Sequence, residues 1–338
     1  MGIRRTSAAA ASAAAMVVLA ACGNGNGNGD AAEDEDLEIG DEDDFVTDLT
    51  FGTGGTAGVY YPLGGEYAQI FEDNIDDISV DAISTDASVY NIGQISQESM
   101  QLGLAQSDTF ITAINAEDDF EDAEIDNVGW IAGLYPEAAH IVTVEGSGIE
   151  SMEDLEGANI AVGAPGSGTR AVSDAILAAY GIEEGDYDAY EEEFDDSQSL
   201  LQDGNIDASI FVVGTPTGSL NEMAATTDVT LLGLDEDVAA DVADDTYFDE
   251  YTIEADAYDF LEDDVQTLSV SAAVLGSTTQ ISEDLAYEIT AAIFEHSDDI
   301  TLPQSDFISH EDALLGIGDA PLHPGAERYY EEQDVELP

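Results

Sequence analysis

Basic residues are almost absent from this sequence of 338 residues. It has no lysine, and its four arginines are Arg4, Arg5, Arg170 and Arg328. The missing lysine excludes a Walker A loop, which needs that side chain to reach the phosphates of a nucleotide. The lack of a basic surface excludes nucleic acid as a partner, because nothing would neutralise its phosphates. All 76 acidic residues follow residue 22, where two arginines oppose them, so this part of the chain has a formal charge of −74.

We interpret this charge as adaptation to high salt and not as a binding site. The acidic residues are spread along the whole body, and the apolar periodicity between them is intact. That distribution favours a folded protein over a disordered acidic tail. Halophilic proteins use high net charge, and dissolved salt screens the repulsion that such charge creates.

Cysteine occurs once, at residue 22, which excludes a disulfide framework. Residues 1–21 contain two arginines followed by an apolar stretch too short to span a bilayer, as is typical of a signal peptide. The stretch ends in the letters LAAC, which resemble a bacterial lipobox, where the cysteine becomes the first residue and receives a lipid. The sequence predicts an extracytoplasmic protein anchored to the cell membrane at Cys22. The alternative is an ordinary signal peptide with an incidental cysteine.

Side-chain sets typical of catalysis or metal binding are also scarce. The four histidines (140, 296, 310 and 323) do not have metal-ligand spacing. Ser167 lies in Gly-Ser-Gly and not in the G-x-S-x-G elbow of a nucleophilic serine. We therefore predict no metal, no cofactor and no enzyme activity. A secreted hydrolase using Ser167 remains the catalytic alternative.

The body of the chain predicts two lobes. Residues 22–45 are a Gly-Asn repeat followed by acidic residues, which is typical of a disordered acidic tether. Beyond it, strand patterns alternate with amphipathic helix patterns, which predicts α/β layers with mostly parallel sheets. Apolar strands near residues 140 and 270 would carry the chain out of one lobe and back. Lobe 1 would comprise 46–143 and 270–338, and lobe 2 would comprise 144–269.

Some local patterns give element predictions that the fold can test. Residues 128–135 and 140–144 indicate two strands, and 311–315 indicates a helix. Asp108 is predicted to cap a helix over 109–115. Ser151 followed by Asp154 resembles a capping box, with aspartate in the place of glutamate.

The glycine-rich turn at 163–168 is the strongest candidate site. An apolar strand precedes it and a helix pattern begins at Thr169, so unpaired backbone N–H groups at the positive end of the helix dipole would face outward. Such an end binds anions readily, and Ser167 and Thr169 add hydroxyl donors. Arg170 opposes the dipole, while its planar fork suits a carboxylate. The alternatives are a plain capped turn and an arginine paired with surface acids.

A second glycine-rich turn lies at 52–58. It superficially fits a dinucleotide fingerprint, but tyrosines occupy the expected helix start and the protein carries an export signal. We interpret it as a second ligand-facing turn with Thr53 and Thr56 as donors and Tyr60 as an aromatic wall.

Taken together, the chain resembles the solute-binding proteins of the TAXI family, the receptors of one branch of TRAP transporters. The resemblance covers essentially the whole body, in the family's order. Its segments are GTGGTAGVYYPLGG at 52–65, LAQSD at 104–108, LYPE at 134–137, VGAPGSGT at 162–169, DGNIDA at 203–208 and PLHPGA at 321–326.

The resemblance implies a two-lobed periplasmic-binding-protein (type II) fold with a hinge, and a monomer that delivers its ligand to a TRAP-type permease driven by an ion gradient. The ligands it implies are small carboxylates such as glutamate or 2-oxoglutarate. Arg170 stands where relatives often have glutamate, which favours a more acidic ligand. An exported sensor that presents ligand to a membrane signalling system is the alternative function. The ligand-facing residues that the resemblance implies are Gly54, Thr56, Tyr60, Gln106, Ser107, Ser167, Gly168 and Thr169.

Overall fold

The computed structural model describes residue 37 and residues 39–121, 123 and 125–338, which form a mixed α/β structure. No helix in this part of the chain is long and apolar enough to cross a membrane. The strands are β1 (Asp48–Gly52), β2 (Ser79–Ile83), β3 (Leu102–Gln106), β4 (Val128–Val144), β5 (Asn159–Ala161), β6 (Asp188–Tyr190), β7 (Ala208–Gly214), β8 (Val229–Leu232), β9 (Asp249–Ile253) and β10 (Val265–Ser277). The α-helices are α1 (Tyr60–Asn74), α2 (Ser88–Ser96), α3 (Ser107–Ile114), α4 (Thr169–Ala179), α5 (Phe194–Gln202), α6 (Gly218–Ala224), α7 (Glu236–Asp245), α8 (Glu283–Glu295) and α9 (Pro324–Glu332).

The strands form one continuous hydrogen-bonded path in the order β2-β1-β3-β10-β4-β7-β5-β6. At one end β1 pairs in parallel with β2 and β3, and at the other β5 pairs in parallel with β6 and β7. The two groups of parallel strands are the α/β layers that the sequence predicts. The long strands β4 and β10 pair antiparallel with each other and with their other neighbours. Antiparallel pairing is therefore a larger part of the sheet than the sequence predicts.

The strands β4 and β10 connect the two ends of the path. The first part of β4 pairs with β10 and forms a bridge from Trp130 to Leu322, and β4 pairs with β7 only from Glu137 onward. Likewise β10 pairs with β9 up to Ser269 and with β3 from Ala272 onward. The chain therefore passes between the two parallel ends of the path along β4 and again along β10. The two strands predicted at 128–135 and 140–144 are one strand of 17 residues, so that separation was wrong.

Apolar residues at helical spacing explain why the helices lie on the sheet. Leu63, Tyr67 and Phe71 on α1 are fully buried against β1, where Phe51 stacks on Phe71. On α4, the buried residues Val172, Ile176 and Leu177 belong to the core cluster of the other end, with strands β5 and β7. Each end of the sheet therefore has its own covering helices, and the loops that follow the parallel strands remain free to form a site.

Three local predictions have definite outcomes. The capping box of Ser151 and Asp154 is confirmed, although it opens a short 3₁₀ segment and not an α-helix. Asp108 does not cap a helix, because α3 begins one residue earlier and Asp108 lies buried inside its first turn. The helix predicted at 311–315 is wrong, since these residues form turns that pack against β4 through Ala313.

Candidate ligand-binding site

One cavity lies between the two ends of the sheet, beyond the carboxyl ends of β1, β2, β3, β5 and β6 and against β4 and β7. This edge is where open α/β sheets hold their ligands. The space open to the centres of water molecules is about 60 Å³, enough for several waters. The lining residues are Gly54, Gly55, Gly58, Val59, Tyr60, Thr85, Asp86, Ala87, Ser88, Gln106, Glu137, Ala164, Ser167, Gly168, Thr169, Glu193, Phe194, Val212 and Val213.

Five helices begin at this cavity. The cavity is lined by the residue immediately before each of α1, α2, α3, α4 and α5. Within the described residues, the side chain of none of these five N-cap residues accepts a hydrogen bond from the first turn of its helix. Each start leaves backbone N–H groups without intrahelical partners, and the positive end of each dipole lies at the cavity. The cavity can therefore stabilise negative charge on a ligand without a basic side chain.

The turn before α4 has the shape that this role requires. Gly163 and Gly166 have φ values of +98° and +88°, which glycine adopts without a steric cost. The Ser167 hydroxyl donates to the carbonyl of Ala164 over 2.8 Å, which fixes the turn. Gly168 then enters the helix, and Thr169 is buried as the first helical residue.

The two ends of the sheet touch across the cavity. The backbone N–H of Tyr90, on α2, donates to the carbonyl of Gly166 over 3.2 Å. A Cβ placed on Gly168 would overlap Gln106 Oε1 and stand 2.6 Å from Thr109 Oγ1. The conformation of Gly168 is ordinary helical backbone, so the requirement for glycine comes from this close approach and not from its φ.

A buried carboxyl group stands in the wall of the cavity. Glu137, on β4, is 3% exposed, and its Oε2 accepts a hydrogen bond of 2.7 Å from the Tyr60 hydroxyl. Burial raises the pKa of Glu137 to about 8, while its hydrogen bonds with Tyr60 and Gln106 oppose that rise. Behind it, burial raises the pKa of Asp108 to about 7, and the proximity of the two carboxyls adds to the rise at Glu137.

Further acceptors surround Glu137. Gln106 is 3% exposed, and its Oε1 has no hydrogen-bond partner in the part of the chain that the structure describes. Asp86 and Glu193 come from opposite ends of the sheet, and burial followed by the nearby carboxylates raises the pKa of Glu193. Of the described residues that line the cavity, none is lysine, arginine or histidine. Within residues 39–121 and 125–338, no group of three or more histidine, cysteine or acidic side chains is arranged to hold a metal ion.

The structure brings most of the sequence-predicted site residues to this cavity. Those that line it are Gly54, Tyr60, Gln106, Ser167, Gly168 and Thr169.

Three others lie elsewhere. Thr56 borders a neighbouring open groove, and the Ser107 hydroxyl accepts the backbone N–H of Ser271 over 3.1 Å. Arg170 pairs with Asp174 and Glu191 at 2.8 and 2.7 Å and does not line the cavity. The lipidation site predicted at Cys22 lies outside the described residues.

The sequence prediction missed several lining residues, of which Glu137 is the most consequential. Its segment, LYPE at 134–137, was recognised only as part of the family resemblance, and among 76 acidic residues nothing marked this one as buried. Thr85 and Ser88 were missed as well. The Thr85 hydroxyl hydrogen-bonds to Asn91 Oδ1 over 2.7 Å, and the Ser88 hydroxyl accepts the N–H of Gln106 over 3.1 Å. Neither lies in the glycine-rich turns at 52–58 and 163–168.

Comparison with known proteins gives the same fold. The chain is similar to PhnD1 from Prochlorococcus marinus, solved in complex with methylphosphonate, at a TM-score of 0.52 and 11% identity over 86% of this chain and 99% of that chain. It is similar to a binding-protein component of a phosphonate ABC transporter from Pseudomonas aeruginosa at a TM-score of 0.52 and 8% identity, with 77% of each chain covered. These likenesses show the two-lobed fold of periplasmic binding proteins. Residues 51–333 match the model of the NMT1-like family, and the chain belongs to that family.

Proposed function

We propose that the protein is an extracytoplasmic solute-binding receptor, without enzyme activity, that captures a small carboxylate and delivers it to a TRAP-type permease. The observation that carries this proposal is the convergence of five helix N-termini, none with a hydrogen bond to the side chain of its N-cap residue, on one cavity of the described structure. A carboxylate there would accept backbone N–H groups and lie at the positive ends of five dipoles. Glutamate and 2-oxoglutarate are the representative ligands that the TAXI resemblance implies.

The proposed binding residues follow from the same geometry. Ser167, Gly168 and Thr169 would hold the carboxylate from one side, while Gly54 and the start of α1 at Tyr60 would hold it from the other. This arrangement uses both glycine-rich turns that the sequence singles out. The ligand would not directly contact Arg170, Thr56 or Ser107.

The transport partner and the location rest on the sequence. The TAXI resemblance supports a TRAP-type permease, whereas the solved neighbours named above include a component of an ABC transporter. A lipid at Cys22 would hold the receptor at the outer face of the membrane. The chain between Cys22 and Gly40 would serve as a tether, since the Gly40 N–H donates to the carbonyl of Thr278 over 3.0 Å. The lobe boundaries near residues 143 and 270 coincide with the two connecting strands, and we propose them as the hinge.

A thermal-shift screen tests the proposal. The purified full chain in molar salt is heated with mono- and dicarboxylates, amino acids, and sugars as uncharged controls. A ligand present at 100 times its Kd adds about 2.7 kcal/mol to the free energy of unfolding, so a true ligand raises Tm visibly. We expect at least one carboxylate to do so while the sugars do not. A screen in which no carboxylate raises Tm would sink the proposal.

A further inference from the structure

We propose that the ligand carries a protonated amine, which binds Glu137 and Gln106 Oε1, so that the site takes α-amino acids and rejects the corresponding 2-oxo acids. This inference rests on the proposed function and concerns the same cavity. It is carried by the juxtaposition of a buried carboxyl and an unpartnered buried amide oxygen in one wall.

The first support is the unpaired acceptor. Gln106 lines the cavity, is 3% exposed, and its Oε1 meets no donor among the described residues. The Gln106 side chain lies near Glu137 and favours the charged form of that carboxyl, which lowers its pKa. A buried acceptor without a donor is costly, which indicates that a ligand N–H completes it.

The second support is the charge of the wall. Glu137, Asp86 and Glu193 line the cavity, and none of the described lining residues is basic. A ligand that brought only negative charge would be attracted by the helix starts but repelled by each of these carboxyl groups that is ionised. An ammonium group supplies three donors and one positive charge, which match Glu137 and Gln106 Oε1 through charge-assisted hydrogen bonds.

The third support is that the donors for a carboxylate and the acceptors for an ammonium group come from different parts of the fold. The helix starts, including Gly168 and Thr169, provide donors for a carboxylate, whereas Glu137 and Gln106, from β4 and the end of β3, provide acceptors. A group with both a carboxylate and an ammonium uses both sets. The small volume of the cavity, and the apolar side chains of Val212 and Phe194 in its wall, favour a compact amino acid.

Matched ligand pairs provide the test. Isothermal titration in molar salt compares alanine with pyruvate and glutamate with 2-oxoglutarate on the purified full chain, with and without EDTA. We expect the amino acid of a binding pair to bind at least tenfold more tightly than its oxo acid, with no effect of EDTA. An oxo acid that binds as tightly as its amino acid would overturn the inference and leave the proposed function standing. Loss of binding in EDTA would also overturn it, by assigning the acceptors to a divalent cation. If no carboxylate of any kind binds, the proposed function itself fails.

A variant separates recognition of the amine from a structural role. In Glu137→Gln we expect affinity for the amino acid to fall at least tenfold while affinity for the oxo acid falls less, so that the preference collapses. The matched control is Asp108→Asn, because Asp108 is equally buried but does not line the cavity. It should retain the preference. If Glu137→Gln weakens both ligands equally, Glu137 does not recognise the amine.

The direction of proton exchange gives an independent readout. Burial keeps the pKa of Glu137 at about 8, so near pH 6.5 the empty site holds it largely neutral, and the groups that face it are Tyr60, Tyr135, Gln106 and Asp108. Binding of an ammonium group ionises Glu137, and we expect release of about one proton per ligand. Titration in two buffers of different ionisation enthalpy measures this number. Uptake of a proton, or release that persists in Glu137→Gln, would contradict the inference.

Discussion

Arg170 occupies the first turn of α4 and takes its partners from the surface. Its Nε meets Asp174, one helical turn further on, at 2.8 Å, and its Nη1 meets Glu191 at 2.7 Å. Both partner carboxylates are about half exposed. The i,i+4 pair of Arg170 and Asp174 explains why an arginine is tolerated at a helix start, because Asp174 neutralises the positive charge that the dipole disfavours.

We therefore expect Arg170→Gln to leave ligand affinity within about twofold of the wild type. Surface ion pairs contribute about 0–1 kcal/mol, so the free energy of unfolding should fall by no more than that. Titration calorimetry and thermal unfolding of the same preparation check both values. A loss of affinity of tenfold or more would show that Arg170 reaches the ligand and that its ion pairs break on binding.

At the scale of residues, the sequence predicted the hydrogen-bond donors of the site well and its acceptors poorly, and the reason is physical. Glycine, serine and threonine in a strand–turn–helix pattern carry a local signal, because the turn itself creates the free N–H groups. Glu137 carries none, because its chemistry depends on burial by Tyr60, which is 77 residues away in the chain. Only the folded structure distinguishes this buried carboxyl from the many carboxyl groups that are exposed to water.

At the scale of elements, the sequence predicted the order of strands and helices more reliably than their boundaries. The apolar runs on both sides of Pro136 were predicted as two strands but form one. Proline lacks an N–H and is rare in central strands. The structure accommodates Pro136 because pairing with β7 begins only at Glu137. The convergence of helix starts could not be predicted from the sequence, since it depends on how separate strands are ordered in the sheet.

The approach of α4 to α3 leads to a prediction about closure. A Cβ at residue 168 would overlap Gln106 Oε1 and crowd Thr109 Oγ1, and both partners lie across the cavity. We expect Gly168→Ala to prevent full closure and to weaken ligand binding at least tenfold, while the fold survives because residue 168 already has helical φ and ψ. Small-angle scattering with ligand would show a larger radius of gyration than the wild type.

Gly65→Ala is the matched control for this substitution. Gly65 also lies in helical backbone, on α1, and a Cβ there meets nothing within 4 Å. It should bind ligand normally and be slightly more stable, because alanine favours helix by up to about 1 kcal/mol over glycine. If Gly168→Ala closes and binds like Gly65→Ala, the close approach does not control closure.

At the scale of the whole molecule, negative charge is nearly unopposed. Arg170 and Arg328 are the only basic residues after residue 22, and each already pairs with two carboxylates. Most of the other acidic side chains that the structure describes lie on the surface, where only two arginines are available to offset their charge. Their mutual repulsion acts between exposed groups, so its strength depends on the ionic strength of the solution.

We propose that the fold depends on high salt and expect Tm to rise steadily as sodium chloride increases. The Debye length falls from about 10 Å at 0.1 M to about 3 Å at 1 M, so repulsion between neighbouring surface carboxylates is largely removed over this range. Each kcal/mol of relieved repulsion raises Tm by roughly 1.5–2 °C in a chain of this length, because the entropy of unfolding is about 2 cal/mol/K per residue. Scanning calorimetry measures the rise. The control is the same series near pH 4.1, the isoelectric point of the sequence, where the net charge is small and the rise should shrink. An equal rise at both pH values would mean that salt acts by strengthening apolar burial and not by screening charge.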